Sequence, residues 1–88
     1  MDQTNIVITA VKSLQLPKIE FETNEAKRYV SDLSEFKNVF CFPKNQKEWK
    51  DLSITASGFN VTWGTRFEVH IHQIIDCAIS EQAIQLRA

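Results

Sequence analysis

Two imidazoles set one residue apart, His70 and His72, with the Glu68 carboxylate two positions upstream, are the one cluster in this 88-residue sequence with the donor chemistry of a metal site. On a strand the two imidazoles project from one face with Glu68 beside them. On a helix two residues are separated by about 200°, so the imidazoles diverge and only His72 with Asp76 remains as an i, i+4 pair. Zinc takes three or four protein ligands, so no metal ligand set is assigned, and a small metal-dependent enzyme using the His70/His72 face stands as an alternative function. Trp63, Arg66, His70 and His72 form the candidate ligand-facing set. Trp63 and Tyr29 are the aromatics available to line a groove, although so short a chain needs its aromatics first for the core.

Cys41 and Cys77 are the two cysteines, far apart and without the close pairing of a zinc knuckle or redox motif. A reactive thiolate needs a neighbouring base or positive charge. Cys41 lies between Phe40 and Phe42, an apolar setting that raises a thiol pKa, and Cys77 has apolar neighbours on its predicted helix. Both are expected as inert thiols, and no catalytic residue is assigned. Two glycines in total leave no phosphate cradle, and no nucleophile elbow, paired-carboxylate motif or zincin helix occurs. No cofactor is expected.

Lys44, Lys47 and Lys50 recur three apart around Trp49, a spacing able to touch phosphates. Glu48 and Asp51 are interleaved with them, and a formal charge of -1 supplies no field to attract a phosphate backbone, so a solvated helix face is expected and nucleic acid is not. No apolar run reaches the roughly 18 to 20 residues that span a bilayer, and no basic, apolar, cleavable leader is present. A cytoplasmic location without membrane contact is the expectation.

These groups need elements to hold them. Alternation over Asn5 to Leu14 predicts a strand, and Ile19 and Phe21 followed by a stretch around Tyr29 predict an antiparallel hairpin turning at Asn24-Glu25. Leu33, Phe36, Val39 and Phe40 then fall three or four apart, a short helical turn with Asp32 or Ser34 as N-cap, interrupted by Pro43. Lys44 to Asp51 is a polar helical segment anchored by Trp49. Leu52, Ile54 and Ala56, then Phe59, Val61 and Trp63, predict a second hairpin across a two-residue Ser57-Gly58 turn.

From Arg66 to His72 strand and helix both fit. From Ile71 onward, steps of about 100° gather Ile71, Ile74, Ile75, Ala78, Ile79, Ala83 and Leu86 on one broad apolar side, predicting a C-terminal amphipathic helix. Gln82 falls inside that arc. Either Ser80 restarts the helix on a new axis, or the surface is covered by a second copy of the chain, a homodimer whose interface is Ile71, Ile75, Ala78, Ile79, Gln82 and Leu86.

Ile19, Phe21, Arg28, Asp32-Leu33, Val39-Phe40, Trp49, Leu52, Ile54, Gly58, Val61 and Trp63-Gly64, in that order, resemble the pattern of a small bacterial family known as domain of unknown function 2442. Asn24-Glu25 stands where that family often has Asp-Gly, and Arg66-Phe67-Glu68-Val69 replaces its usual Asp-Leu and Pro lead into the last helix. The resemblance implies an α+β fold with a mixed or antiparallel sheet, no established catalytic residues, and a regulatory or partner-binding role. Residues 1–88 are thus expected to form a single α+β domain, a small mixed or antiparallel sheet built from hairpins with one short middle helix and a C-terminal amphipathic helix. Its expected role is a non-enzymatic binding or regulatory module that self-associates and takes a protein partner. The alternative from a second class is a component of a toxin and antitoxin or transcriptional system contacting nucleic acid or a partner protein.

Overall fold

The alternating stretches become two antiparallel sheets joined by two short helices, an α+β fold, across residues 6–84, the part of the chain that the structure, a computed structural model, describes. The strands are β1 (Ile8–Ser13), β2 (Lys18–Thr23), β3 (Lys27–Asp32), β4 (Leu52–Ile54), β5 (Asn60–Trp63), β6 (Phe67–His70) and β7 (Ala78–Ala83). A 3-10 turn at Ser34–Phe36 and the helix α1 (Gln46–Trp49) lie between β3 and β4, and the helix α2 (Ile71–Asp76) precedes β7. One sheet has the order β1-β2-β3-β7, the other β4-β5-β6.

Period-two burial decides which face each strand turns inward. Ile19, Phe21 and Thr23 are buried while Lys18, Glu20 and Glu22 are not, and the β2–β3 register sets Phe21 opposite Tyr29 and Ile19 opposite Ser31. The Phe21 and Tyr29 rings stack at 5.0 Å. The outer face carries the Arg28–Glu22 ion pair at 2.9 Å. Side chains from both sheets meet in one core, whose fully buried members include Ile19, Phe21, Leu33, Trp49, Val61 and Ile71.

The middle segment departs from the expected N-cap at Asp32 or Ser34: Leu33 holds that position in the 3-10 turn with no side-chain cap, and Asp32 makes an Asx turn instead. Asp32 Oδ1 accepts from the Ser34 backbone N–H at 2.9 Å, and the Ser34 backbone and hydroxyl donors hold this carboxyl below its ordinary value. At α1, Asn45 is the N-cap and its Oδ1 accepts from the Glu48 N–H at 2.9 Å, while Glu48 Oε1 accepts from the Lys44 N–H at 2.9 Å. Trp49 has no exposed surface, so one indole does anchor this polar helix.

The expected two-residue turn at Ser57-Gly58 is longer. The β4–β5 register ends at Ile54 opposite Val61, the Thr55 N–H donates to the Asn60 carbonyl at 3.0 Å, and Gly58 takes φ +80. The Gly58 carbonyl accepts from the Ile8 N–H at 2.8 Å, which fastens this loop to β1, and a Cβ on Gly58 would stand 3.0 Å from the Val7 Cβ.

The C-terminal helix is the main correction. The strand reading holds to His70, the helix runs only from Ile71 to Asp76, and residues 78–83 are a strand. α2 lies along β3, where the buried Ser31 hydroxyl donates to the Ile74 carbonyl at 2.6 Å and the Asp32 N–H donates to the Cys77 carbonyl at 3.1 Å. The chain therefore leaves α2 beside the open edge of β3 and satisfies it, from Ser31 opposite Ala78 to Lys27 opposite Ala83. Ladder hydrogen bonds outweigh the helical period of the apolar residues.

Trp49→Ala is expected to cost about 3 to 5 kcal/mol, and Trp49→Phe distinctly less, in urea-denaturation midpoints. Asp32→Ala tests the Asx turn. Because the folded pKa of Asp32 is lowered from 3.8, its stabilisation is fully present above that value and is lost as pH falls through the lower folded pKa. The melting-temperature gap between wild type and Asp32→Ala is therefore expected to be full at neutral pH and to close in acid.

Candidate functional site

His70 ends β6 and is the N-cap of α2. Its Nδ1 accepts from the His72 backbone N–H at 3.1 Å, and the Gln73 side-chain oxygen accepts from the His70 N–H at 3.0 Å, a reciprocal capping arrangement made with an imidazole. The His70 and His72 rings lie nearly parallel, 5.1 Å apart, and Phe59 lies parallel to His70 at 6.4 Å. The Glu68 carboxylate shares the exposed face of β6 with His70 but is engaged by Asn60, accepting from its Nδ2. Glu68, His70 and His72 do not converge, since a cap turns the chain between the two histidines, and among the described residues no three His, Cys, Asp or Glu side chains are placed to hold one ion.

Trp63 faces the core. It is 3% exposed, its Nε1 donates to the Trp49 carbonyl at 2.9 Å and its ring stacks on Trp49 at 4.7 Å. Arg66 is exposed, with Nη1 3.8 Å from Glu48 Oε2. The two share only a cavity of about 70 Å³ with Cys41, Pro43 and Asp51, too small for an organic ligand. The four residues of the candidate ligand set therefore divide between a core aromatic, a surface cation and a helix cap. Tyr29 is also buried, against Phe21.

The self-association residues divide as well. Ile71 is fully buried within its own chain, Ile75 and Ala78 are half-buried, and Ile79 and Gln82 are exposed on β7, with Ile79 at 59%. Leu86 lies outside the described residues. The first half of the apolar arc is thus buried or half-buried by this chain's own core, and what remains outward among the described residues is a strand edge.

No protein-family model, curated protein or solved structure matches the chain. Geometry is what bears on its role.

One surface that the sequence pattern placed in a helical face is exposed. Leu33 is buried and Phe36 half-buried, as three-residue spacing requires, but helical backbone stops at Phe36, and Val39 and Phe40 stand 45% and 94% exposed. They border an open groove of about 470 Å³ whose inner residues are Leu16, Phe42 and Pro43 and whose outer ones include Lys37 and Lys44. The available sequence signal was Pro43, which stops a helix from continuing past Phe40.

Cys77 is buried with its Sγ 3.3 Å from Glu35 Oε1, and burial, reinforced by the Glu35 carboxylate, pushes the thiol up to about 12. Cys41 is half-buried. In the folded protein a disulfide reagent is expected to label Cys41 first and Cys77 slowly, with both equal in denaturant. Glu35→Gln removes an anion that opposes the thiolate, so labelling of Cys77, followed in a Cys41→Ser background, is expected to speed up.

Proposed function

We propose that this chain is a non-enzymatic binding or regulatory module that associates with a second copy of itself along β7. The observation that carries this is the position of β7: among the described residues it has one strand neighbour, β3, and residues 79–83 are exposed on both faces. An edge strand presents unpaired backbone N–H and C=O groups, and natural edges are commonly blocked by Lys or Pro. β7 contains neither, and its one carboxylate, Glu81, is held 3.4 Å from Lys27 Nζ.

A twofold, antiparallel β7–β7 pairing would double the four-stranded sheet. Centred on Ser80, it sets Ser80 against Ser80, Ile79 against Glu81 and Ala78 against Gln82, which keeps facing side chains on one side of the sheet and avoids Glu81 meeting itself. Pairing of this kind gives affinity from main-chain hydrogen bonds and covers Ile79. The engagement of His70 Nδ1 in a helix cap and the burial of Trp63 in the core support a binding role over a catalytic one. The short helix anchored by Trp49 and the hairpin closing on Trp63-Gly64 support the likeness to domain of unknown function 2442, whose members carry no established catalytic residues. No helix among the described residues is long and apolar enough to cross a bilayer.

Light scattering at about 100 µM is expected to give a particle of twice the 10.2 kDa chain mass. Ile79→Lys, which puts a charge on the pairing edge, is expected to return the monomer mass and to remove the dependence of the melting temperature on protein concentration. A wild-type monomer at that concentration would contradict the proposal.

A further inference from the structure

We infer that the groove beside Phe40 is a docking site for an acidic linear segment of another protein, one that presents a bulky apolar side chain flanked by aspartate or glutamate. This goes beyond self-association along β7 and uses different residues.

The groove, about 470 Å³, falls in the range of natural binding clefts. Its inner residues, Leu16, Phe42 and Pro43, are apolar and held by the core, since Phe42 packs on Trp49 at 5.6 Å and on Phe67 at 5.2 Å. Phe40 stands two residues away with 94% of its surface in water. A ring so exposed, with Val39 beside it, adds apolar area that folding leaves uncovered and that docking would cover.

Charge selects the occupant. No acidic residue lines the groove, Lys37 and Lys44 do, and neither ammonium is in an ion pair among the described residues. A second copy of this chain would bring the same two lysines against each other, whereas a carboxylate-bearing segment meets them with complementary charge. A membrane surface needs a protruding tip on a basic body, while this site is concave and the chain carries a formal net charge of -1. Single-stranded nucleic acid needs several stacking platforms, and Phe40 is the only largely exposed aromatic ring at this groove.

The test is selection of a random-peptide phage library on the full chain, with depletion on Phe40→Ser, followed by fluorescence anisotropy of the enriched peptides made synthetically. The expected consensus is one Phe, Trp, Leu or Ile flanked by Asp or Glu. Affinity is expected to fall about tenfold or more in Phe40→Ser and in the Lys37→Glu/Lys44→Glu double variant, and to weaken with salt. All three substitutions are at exposed positions, so melting temperature and light-scattering mass stay at wild-type values, and failure at this groove is distinguishable from failure at β7. Peptides that lack acidic residues, or that bind Phe40→Ser equally, would overturn the proposal. So would Phe40-dependent binding of phosphatidylglycerol vesicles or oligothymidylate with no peptide enriched.

Discussion

Two indoles hold the two sheets in one body. Buried Trp residues must place their ring N–H on an acceptor, and here each finds a backbone carbonyl of a different element. Trp49 Nε1 donates to Lys18 at 2.8 Å, which ties α1 to β2 of the four-stranded sheet, and Trp63 Nε1 donates to Trp49 at 2.9 Å, which ties β5 of the three-stranded sheet to α1. The rings stack 4.7 Å apart at 20°, and Phe67 continues the cluster 5.4 Å from Trp63. A chain of 88 residues has little apolar area to spare, and this cluster concentrates it where three elements meet. The surface around Phe40 depends on it too, because Phe42, seated on Trp49, fixes the neighbouring backbone and leaves Phe40 outside.

Backbone hydrogen bonds complete the joint between the sheets. The Ile8 N–H reaches the Gly58 carbonyl at 2.8 Å and the Ile71 N–H reaches the Phe59 carbonyl at 2.7 Å, so the β4–β5 loop touches both β1 and the start of α2. His70 sits at the same junction as a cap, which explains why a residue type with catalytic reputation is engaged in structure here. An imidazole nitrogen that accepts the first free N–H of a helix is committed to that acceptor role.

Much of the architecture was legible because burial on one face leaves a period of two. Ile19, Phe21 and Tyr29, and again Val61 and Trp63, announced their hairpins, and Trp49 announced its helix by being the one large apolar residue in a polar run. The last segment was not legible, because the helical spacing of Ile71, Ile74, Ile75, Ala78 and Ile79 is genuine for its first half and accidental for its second. What decides between helix and strand there is the unfilled edge of β3, about 50 residues earlier in the chain, a fact no local window contains. The candidate site failed for a related reason. Types and spacing placed His70, His72 and Glu68 together, but one capping bond reorients the backbone between them. The exposure of Phe40 was hidden because apolar residues at helical spacing ordinarily share a buried face.

The pairing of β3 with β7 orders events during translation. Strands β1 to β3 are neighbours in sequence and can assemble as soon as they emerge, yet the nascent protein must then carry a bare β3 flank until the final strand arrives. In that interval its backbone N–H and C=O groups stay unpaired by a strand, so the arrival of residues 78–83 is the step that closes this side of the sheet.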